Sequence, residues 1–314
     1  MSKNLMSVCT ILSSLILSLL LCGCSVQTRQ FDPEIAYYPT RRTLDALPSG
    51  FPPLSENETS LEWGKELFLG LRFAEEFDLY RAITCYKRAL YLCPRERKNE
   101  IEYHIVEAYY LGQKFSEVAE FYEMSSLEQV PWDFPVLKEL LLMLYETYSE
   151  LGQCAKAARI YCLIHNLDTS LAEHLSQYAA TVNADFDALS LSTHPDMPSF
   201  LNVYYSEAKS ERCAQVLNAL LPGAGYYYVG QKKSAVTSFL INALFTYAAY
   251  QFFERGYVAA GLITAGLEVG WYVGGINGAG LAARAWNENL YENSGKEFLS
   301  RNRLFPVLMF NYAF

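Results

Sequence analysis

The chain has 314 residues, enough for one to three domains and a sizeable core. Its formal charge is −9, and the stretch from Leu61 to Phe200 holds 22 acids against 12 bases. Nucleic acid, whose phosphates call for Lys and Arg, is excluded as a partner class. Half the residues are apolar, concentrated at the N-terminus and again after Cys213, which is a membrane pattern rather than a uniform globular one.

The first segment has Lys3 as a basic start, an apolar run from Ile11 to Leu21, and then Cys22-Gly23-Cys24. Basic start, short apolar run and small residue before a cut describe a secretory signal over residues 1–23. Leu21-Cys22-Gly23-Cys24 resembles the lipobox of bacterial lipoproteins. The resemblance implies that Cys24 is lipidated and becomes the mature N-terminus, with palmitate among its acyl chains and the following domain outside the cytoplasm. Ser25 after Cys24 leans toward the outer membrane and the later apolar helices toward the inner one, so the membrane stays unassigned.

Residues 24–58 carry Pro33, Pro39, Pro48, Pro52 and Pro53 among polar and aromatic residues. They read as an extended tether between the lipid and a folded domain. Asn57 to Thr59 matches a glycosylation acceptor, incidental in a bacterial lipoprotein. Five cysteines remain once Cys9, Cys22 and Cys24 are set aside: Cys85, Cys93, Cys154, Cys162 and Cys213. An odd number cannot pair fully within one chain. Eight residues along a helix span roughly 12 Å, too far for a Cys85–Cys93 or Cys154–Cys162 bridge. Buried packing is the expected use of these thiols.

From residue 59 to 200 the pattern is helical and repeats. Gly70, Phe73, Ala82, Tyr86, Ala89 and Pro94 form one copy. Ala108, Tyr109, Phe115, Val118 and Tyr122 form a second, and Leu144, Tyr148, Gly152, Ala157 and Tyr161 a third. Copies starting at Trp63, Asn99 and Lys138 step by 36 and 39 residues. Small residues let paired helices approach, aromatics fill the gaps, and copies must stack because one pair cannot bury its own apolar face. This alternation resembles the tetratricopeptide family over Thr59 to Leu167. The second copy lacks the proline and the third has Cys154 where an aromatic is usual; Tyr178, Phe186 and the stretch to Phe200 could supply a degenerate fourth pair or a cap. The resemblance implies a concave groove that binds a protein or peptide.

Residues 201–290 read as a membrane module. Leu220 to Gly225 holds Pro222, Gly223 and Gly225, and three tyrosines follow, suited to a membrane interface. Ala235 to Phe253 is nineteen residues without a formal charge, and Gly256 to Ala283 is 28 with Glu268 as the only one. Each is long enough to span a hydrocarbon core of about 30 Å, and the polar Glu254-Arg255 between them makes a helical hairpin. Gly266, Gly270, Gly274 and Gly278 form a stripe expected to pack against another helix, within the hairpin or between copies of the chain. Asn242, Glu268 and Asn277 are expected to face the packed interior, as polar groups in lipid must. Pro222-Gly223-Ala224-Gly225, the hairpin and Asn287 together resemble a group of small bacterial membrane proteins of unassigned function. Lys232, Lys233 and Arg284 would lie outside the cytoplasm if only two spans follow a lipidated Cys24, against the positive-inside rule. Ala214 to Gly230 entering the membrane as a short broken segment is one resolution, different docking of the hairpin or a misread lipobox the others.

The tail, residues 291–314, ends with Phe310, Tyr312 and Phe314 alternating, which resembles the final-strand signal of outer-membrane barrels. The repeated alternating segments of a barrel are absent upstream and Pro306 breaks a strand, so the tail is expected to pack on the hairpin.

The whole predicts a mainly α protein, a tetratricopeptide-like solenoid followed by a glycine-rich membrane hairpin. No nucleophile, base and orienting acid fall together, and His104, His165, His174 and His194 have no ligand spacing, so no enzyme, metal or cofactor is expected. The expected function is a membrane-tethered interaction scaffold of the bacterial envelope, its repeats periplasmic, with partner polypeptide and membrane lipid as its ligands. The alternative is part of an oligomeric channel or insertion machine built on the hairpin.

Overall fold

The computed structural model describes residues 31–44 and 46–314; the signal and Cys24 lie outside them. The chain divides between Asp32 and Pro33, and the fold below is that of Pro33–Phe314. Among the described residues it is mainly α, with one isolated bridge between Ser49 and Ala313. Two short turns, α1 (Arg41–Leu44) and α2 (Glu56–Ser60), precede four successive helix pairs. These are α3 (Glu62–Glu75) with α4 (Leu79–Leu92), α5 (Arg95–Leu111) with α6 (Phe115–Met124), α7 (Leu137–Glu150) with α8 (Cys154–Leu167), and α9 (Thr169–Val182) with the short α10 (Phe186–Ser190).

The first pair shows how the pattern folds. α3 buries Trp63, Leu67, Gly70 and Ala74, spaced by three and four, and α4 answers with Ala82, Tyr86 and Ala89. A Cβ on Gly70 would stand 2.5 Å from Cε1 of Tyr86, so the small residue is what admits the ring.

One turn closes all four pairs. Phe77, Gln113, Gly152 and Ala184 have φ of 62°, 55°, 66° and 50°. The next residue in each case donates its N–H to the carbonyl five back: Asp78 to Phe73, Lys114 to Tyr109, Gln153 to Tyr148 and Asp185 to Ala180, at 2.8–2.9 Å. This left-handed cap satisfies the last carbonyls of the helix and reverses the chain. Asp78 and Asp185 then cap the following helices through their side chains. The turns lie 36, 39 and 32 residues apart.

α5 is enclosed on every face: each residue from Glu100 to Ala108 is buried. α7 is enclosed likewise from Glu139 to Leu144. Neighbouring helices cover one side of them; the chain's own two end segments cover the other. Phe51 packs edge-on to Tyr103 at 5.6 Å and to His104 at 5.4 Å. Phe310 stacks on Tyr110 at 6.0 Å, and Phe305 meets Tyr178 at 5.9 Å and Tyr37 at 5.0 Å. The tail therefore packs on the helix pairs and not on the apolar hairpin segment expected to receive it; Leu304, Phe305, Val307 and Phe310 are buried there. The proline-rich stretch is extended but docked, with Pro33 and Ile35 buried and Glu34 and Ala36 exposed. Alternation of that kind is a strand pattern, and the prolines concealed it.

The rest comprises α11 (Met197–Glu207), α12 (Glu211–Leu220), α13 (Ala224–Tyr228), α14 (Lys232–Glu254) and α15 (Val258–Arg301). α14 and α15 run antiparallel: Phe253 lies against Gly261, Asn242 and Glu268 share a cleft, and Ser238 lies near Gly275. α15 has 44 residues, about 66 Å at 1.5 Å per residue, and continues without a break through residue 290. Its second half enters the body of helix pairs. Tyr291 donates its hydroxyl to the Thr181 carbonyl at 2.9 Å, and Gly295 is backed by Ile35, Thr181 and Phe200.

Candidate functional site

Two places gather polar groups in apolar surroundings. The first is the groove beneath the tail. Asn311 donates its backbone N–H to Glu139 Oε1 at 2.9 Å, and Ala313 donates to the Pro48 carbonyl at 3.0 Å. Phe314 lies 6.3 Å from the His104 ring, centroid to centroid, and that ring also stacks on Tyr86 at 5.4 Å. His104 Nδ1 is 3.1 Å from Glu107 Oε2, both residues fully buried. The Arg97 guanidinium holds the other end segment. It donates to both oxygens of Glu58, to Glu100 and to the Pro52 carbonyl. That bonding, with the Ser55 cap, pulls the Glu58 carboxyl down to about 2.

The groove is rich in acceptors that its occupant does not use. Among the described residues Glu107 Oε1, Glu139 Oε2 and the hydroxyls of Tyr86 and Tyr103 are buried without a hydrogen-bond partner. No Lys or Arg pairs with Glu107 or Glu139 among the described residues. Burial pushes the Glu107 carboxyl up, against the pull of His104. Glu146, on α7, accepts hydrogen bonds from the Tyr110 and Tyr178 hydroxyls, and burial lifts its carboxyl to about 7. Sequence reasoning placed none of these glutamates in the site.

The second place is between α14 and α15. A cleft of about 570 Å³ is lined by Asn242, Thr246, Tyr247, Tyr250, Glu268 and Tyr272 together with Pro222 and Phe239. Asn242 Nδ2 donates to the Ser238 carbonyl at 2.6 Å, while among the described residues its Oδ1 and Glu268 Oε2 are buried without a partner. Asn242 and Glu268 thus share one interior. Asn277 does not join them; it is exposed, because helical periodicity turns it away from the cleft. The glycine stripe divides too. Among the described residues nothing lies within 4 Å of where a Cβ on Gly266, Gly270 or Gly274 would stand, whereas Gly278 is covered by the Tyr226 hydroxyl. The small residues that do admit a neighbour are Gly261, Gly275 and Gly280, with Ala279 and Ala283 packed against Ala214.

α12 and α13 form the broken segment, parted at Leu221–Gly223, where Gly223 has φ of 93°. Its N–H is taken by the Asn218 side chain at 2.9 Å. α12 has 10 residues, about 15 Å, so it sits beside residues 272–284 in the middle of α15 without running its length. Asn287, marked out by the sequence, fastens α15 to the preceding loop: it accepts from the Lys209 N–H at 2.7 Å and donates to the Lys209 carbonyl at 2.9 Å. Arg284 adds a two-pronged bond to Glu211 at 2.9 Å.

Of the five thiols only Cys85 is buried; Cys154, Cys162 and Cys213 are exposed, contrary to the packing role expected of them. Among the described residues no group of three or more His, Cys, Asp and Glu could hold a metal ion. One helix there, α15, is long and apolar enough to cross a membrane, with a window of mean hydropathy 1.2. Comparison with protein families, with curated proteins and with solved structures finds no match for this chain.

Proposed function

We propose that the protein is a membrane-tethered, non-catalytic scaffold of the bacterial cell envelope. Lipid on Cys24 and the hairpin of α14 with the first half of α15 hold it at the membrane. The tetratricopeptide-like stack α3–α10 offers its groove to a polypeptide. One observation carries the reading: Phe239, Leu244, Ile263, Leu267 and Trp271, on both helices of the hairpin, are about half or more exposed. A water-soluble surface rarely presents so continuous an apolar sheath. Lipid supplies the missing partner, and the charges at Lys232, Lys233 and Arg284 mark where the sheath ends. The repeated turn and the Gly70–Tyr86 contact support the stack.

Two observations favour the second reading, a hairpin that assembles with copies of itself into a channel or insertion machine. Gly266, Gly270 and Gly274 are uncovered, and Glu268 keeps an unpartnered oxygen in the cleft. Labelled palmitate supplied to a bacterial host tests the tether. The account expects label in the wild-type protein and none in the Cys24→Ser variant; absence of label from both removes the lipoprotein.

A further inference from the structure

The tail fills its groove with aromatic rings and answers only part of its polarity: Glu107 has His104 and Glu139 has the Asn311 N–H, and each keeps a second oxygen without a partner among the described residues. Phe310 and Phe314 fill aromatic positions beside Tyr110 and His104, but the segment gives the acid-lined floor one hydrogen bond, from Asn311 to Glu139. A buried carboxylate is costly unless it is paired or hydrogen-bonded. Here Glu107 and Glu139 each keep an oxygen without a partner, within a wall formed by Tyr86, Tyr103 and Phe134. The main-chain bond from Ala313 to Pro48 is the second polar contact, and Pro48 itself belongs to the other end segment. An occupant built for this floor would add a cation.

We propose that the groove is an exchangeable seat, and that its functional occupant is an extended segment of a partner polypeptide. That segment carries aromatic side chains at the spacing of Phe310 and Phe314, with a Lys or Arg near them that pairs with Glu139 or Glu107. The chain's own tail holds the seat until the partner displaces it. The proposal rests on the reading of α3–α10 as a polypeptide-binding stack and names the chemistry of its ligand. A basic segment also suits the acidic balance of residues 61–200, where 22 acids face 12 bases.

The test uses the full chain in detergent. Hydrogen exchange of the wild type comes first: amides of residues 309–314 are expected to exchange at least tenfold faster than those in the middle of α7. Exchange of both sets at the same rate would make the tail an inseparable part of the core and overturn the proposal. Labelled peptides of residues 304–314 follow, in the native sequence and with Asn311→Lys, Tyr312→Lys or Ala313→Lys. A Phe310→Ala/Phe314→Ala chain is expected to stay helical and bind the native peptide at least tenfold more tightly than wild type does. At least one Lys peptide is expected to bind a further tenfold more tightly, with the gain lost in a Glu139→Gln or Glu107→Gln chain. A double variant that unfolds, or that folds and binds no peptide, overturns the exchange; Lys peptides that gain nothing overturn the basic partner. Vesicle flotation of the same chain tests the membrane reading separately, so either can fail without the other.

Discussion

Glu146 shows what a single residue contributes. Its carboxyl is raised from 4.5 to about 7 by burial, although Tyr110 and Tyr178 both donate to it. A carboxyl raised on folding holds its proton in the native state where the unfolded chain has lost it. Native stability therefore falls as pH rises through the window from about 4.5 to about 7, and is lower above it. Glu146→Gln removes that titration. Denaturant unfolding should show the variant gaining about 1–3 kcal/mol over wild type at pH 8 relative to pH 5. An equal difference at the two pH values would mean that Glu146 is ionised freely in the fold. Gly70 makes the opposite case: Gly70→Leu drives a side chain into the Tyr86 ring and should cost about 1–3 kcal/mol in the same assay. That glycine was legible in the sequence, because small-opposite-aromatic is a pairing rule. The orphaned acids were not, because a glutamate on a helix ordinarily faces water and only the docked tail shows that these do not.

Individual elements were legible in proportion to their periodicity. The helices of the first three pairs and the two long apolar helices follow from spacing alone. The turn residues were harder, since Phe77, Gln113 and Ala184 take a left-handed conformation that the sequence flags only at Gly152. The hidden elements are the two end segments: burial alternates over only residues 33–36 in the first, beside prolines, and the second is buried almost continuously from Leu304 to Phe310 around a short turn. α15 was cut short in the sequence because its character changes from apolar to polar near Arg284, while its backbone hydrogen bonding continues. Asn287 fixes the loop between α11 and α12 against it. Asn287→Ala should cost about 1–3 kcal/mol and speed hydrogen exchange around Lys209. Unchanged exchange there would show the loop to be held by Arg284–Glu211 without it. On the open face of α15, Gly270→Leu meets no neighbour and should leave the midpoint of unfolding in detergent unchanged or higher. A marked fall would reveal a copy of the helix packed on the stripe.

The molecule as a whole joins two kinds of surface through one helix. The first half of α15 shares an exposed apolar surface with α14, and its second half is core to the helix pairs, on one continuous helix. Both ends of the hairpin then emerge on the side of the body. Arg284, where the apolar half of α15 gives way to the polar half, is held by Glu211. The central claim is that the hairpin inserts into lipid independently of the acyl anchor. The direct measurement is an alkaline wash of vesicles or membranes bearing the Cys24→Ser variant, which has no lipid of its own. The account predicts that the variant stays in the membrane pellet. Its release into the supernatant would contradict the hairpin as a membrane element and leave the sheath to be covered by protein.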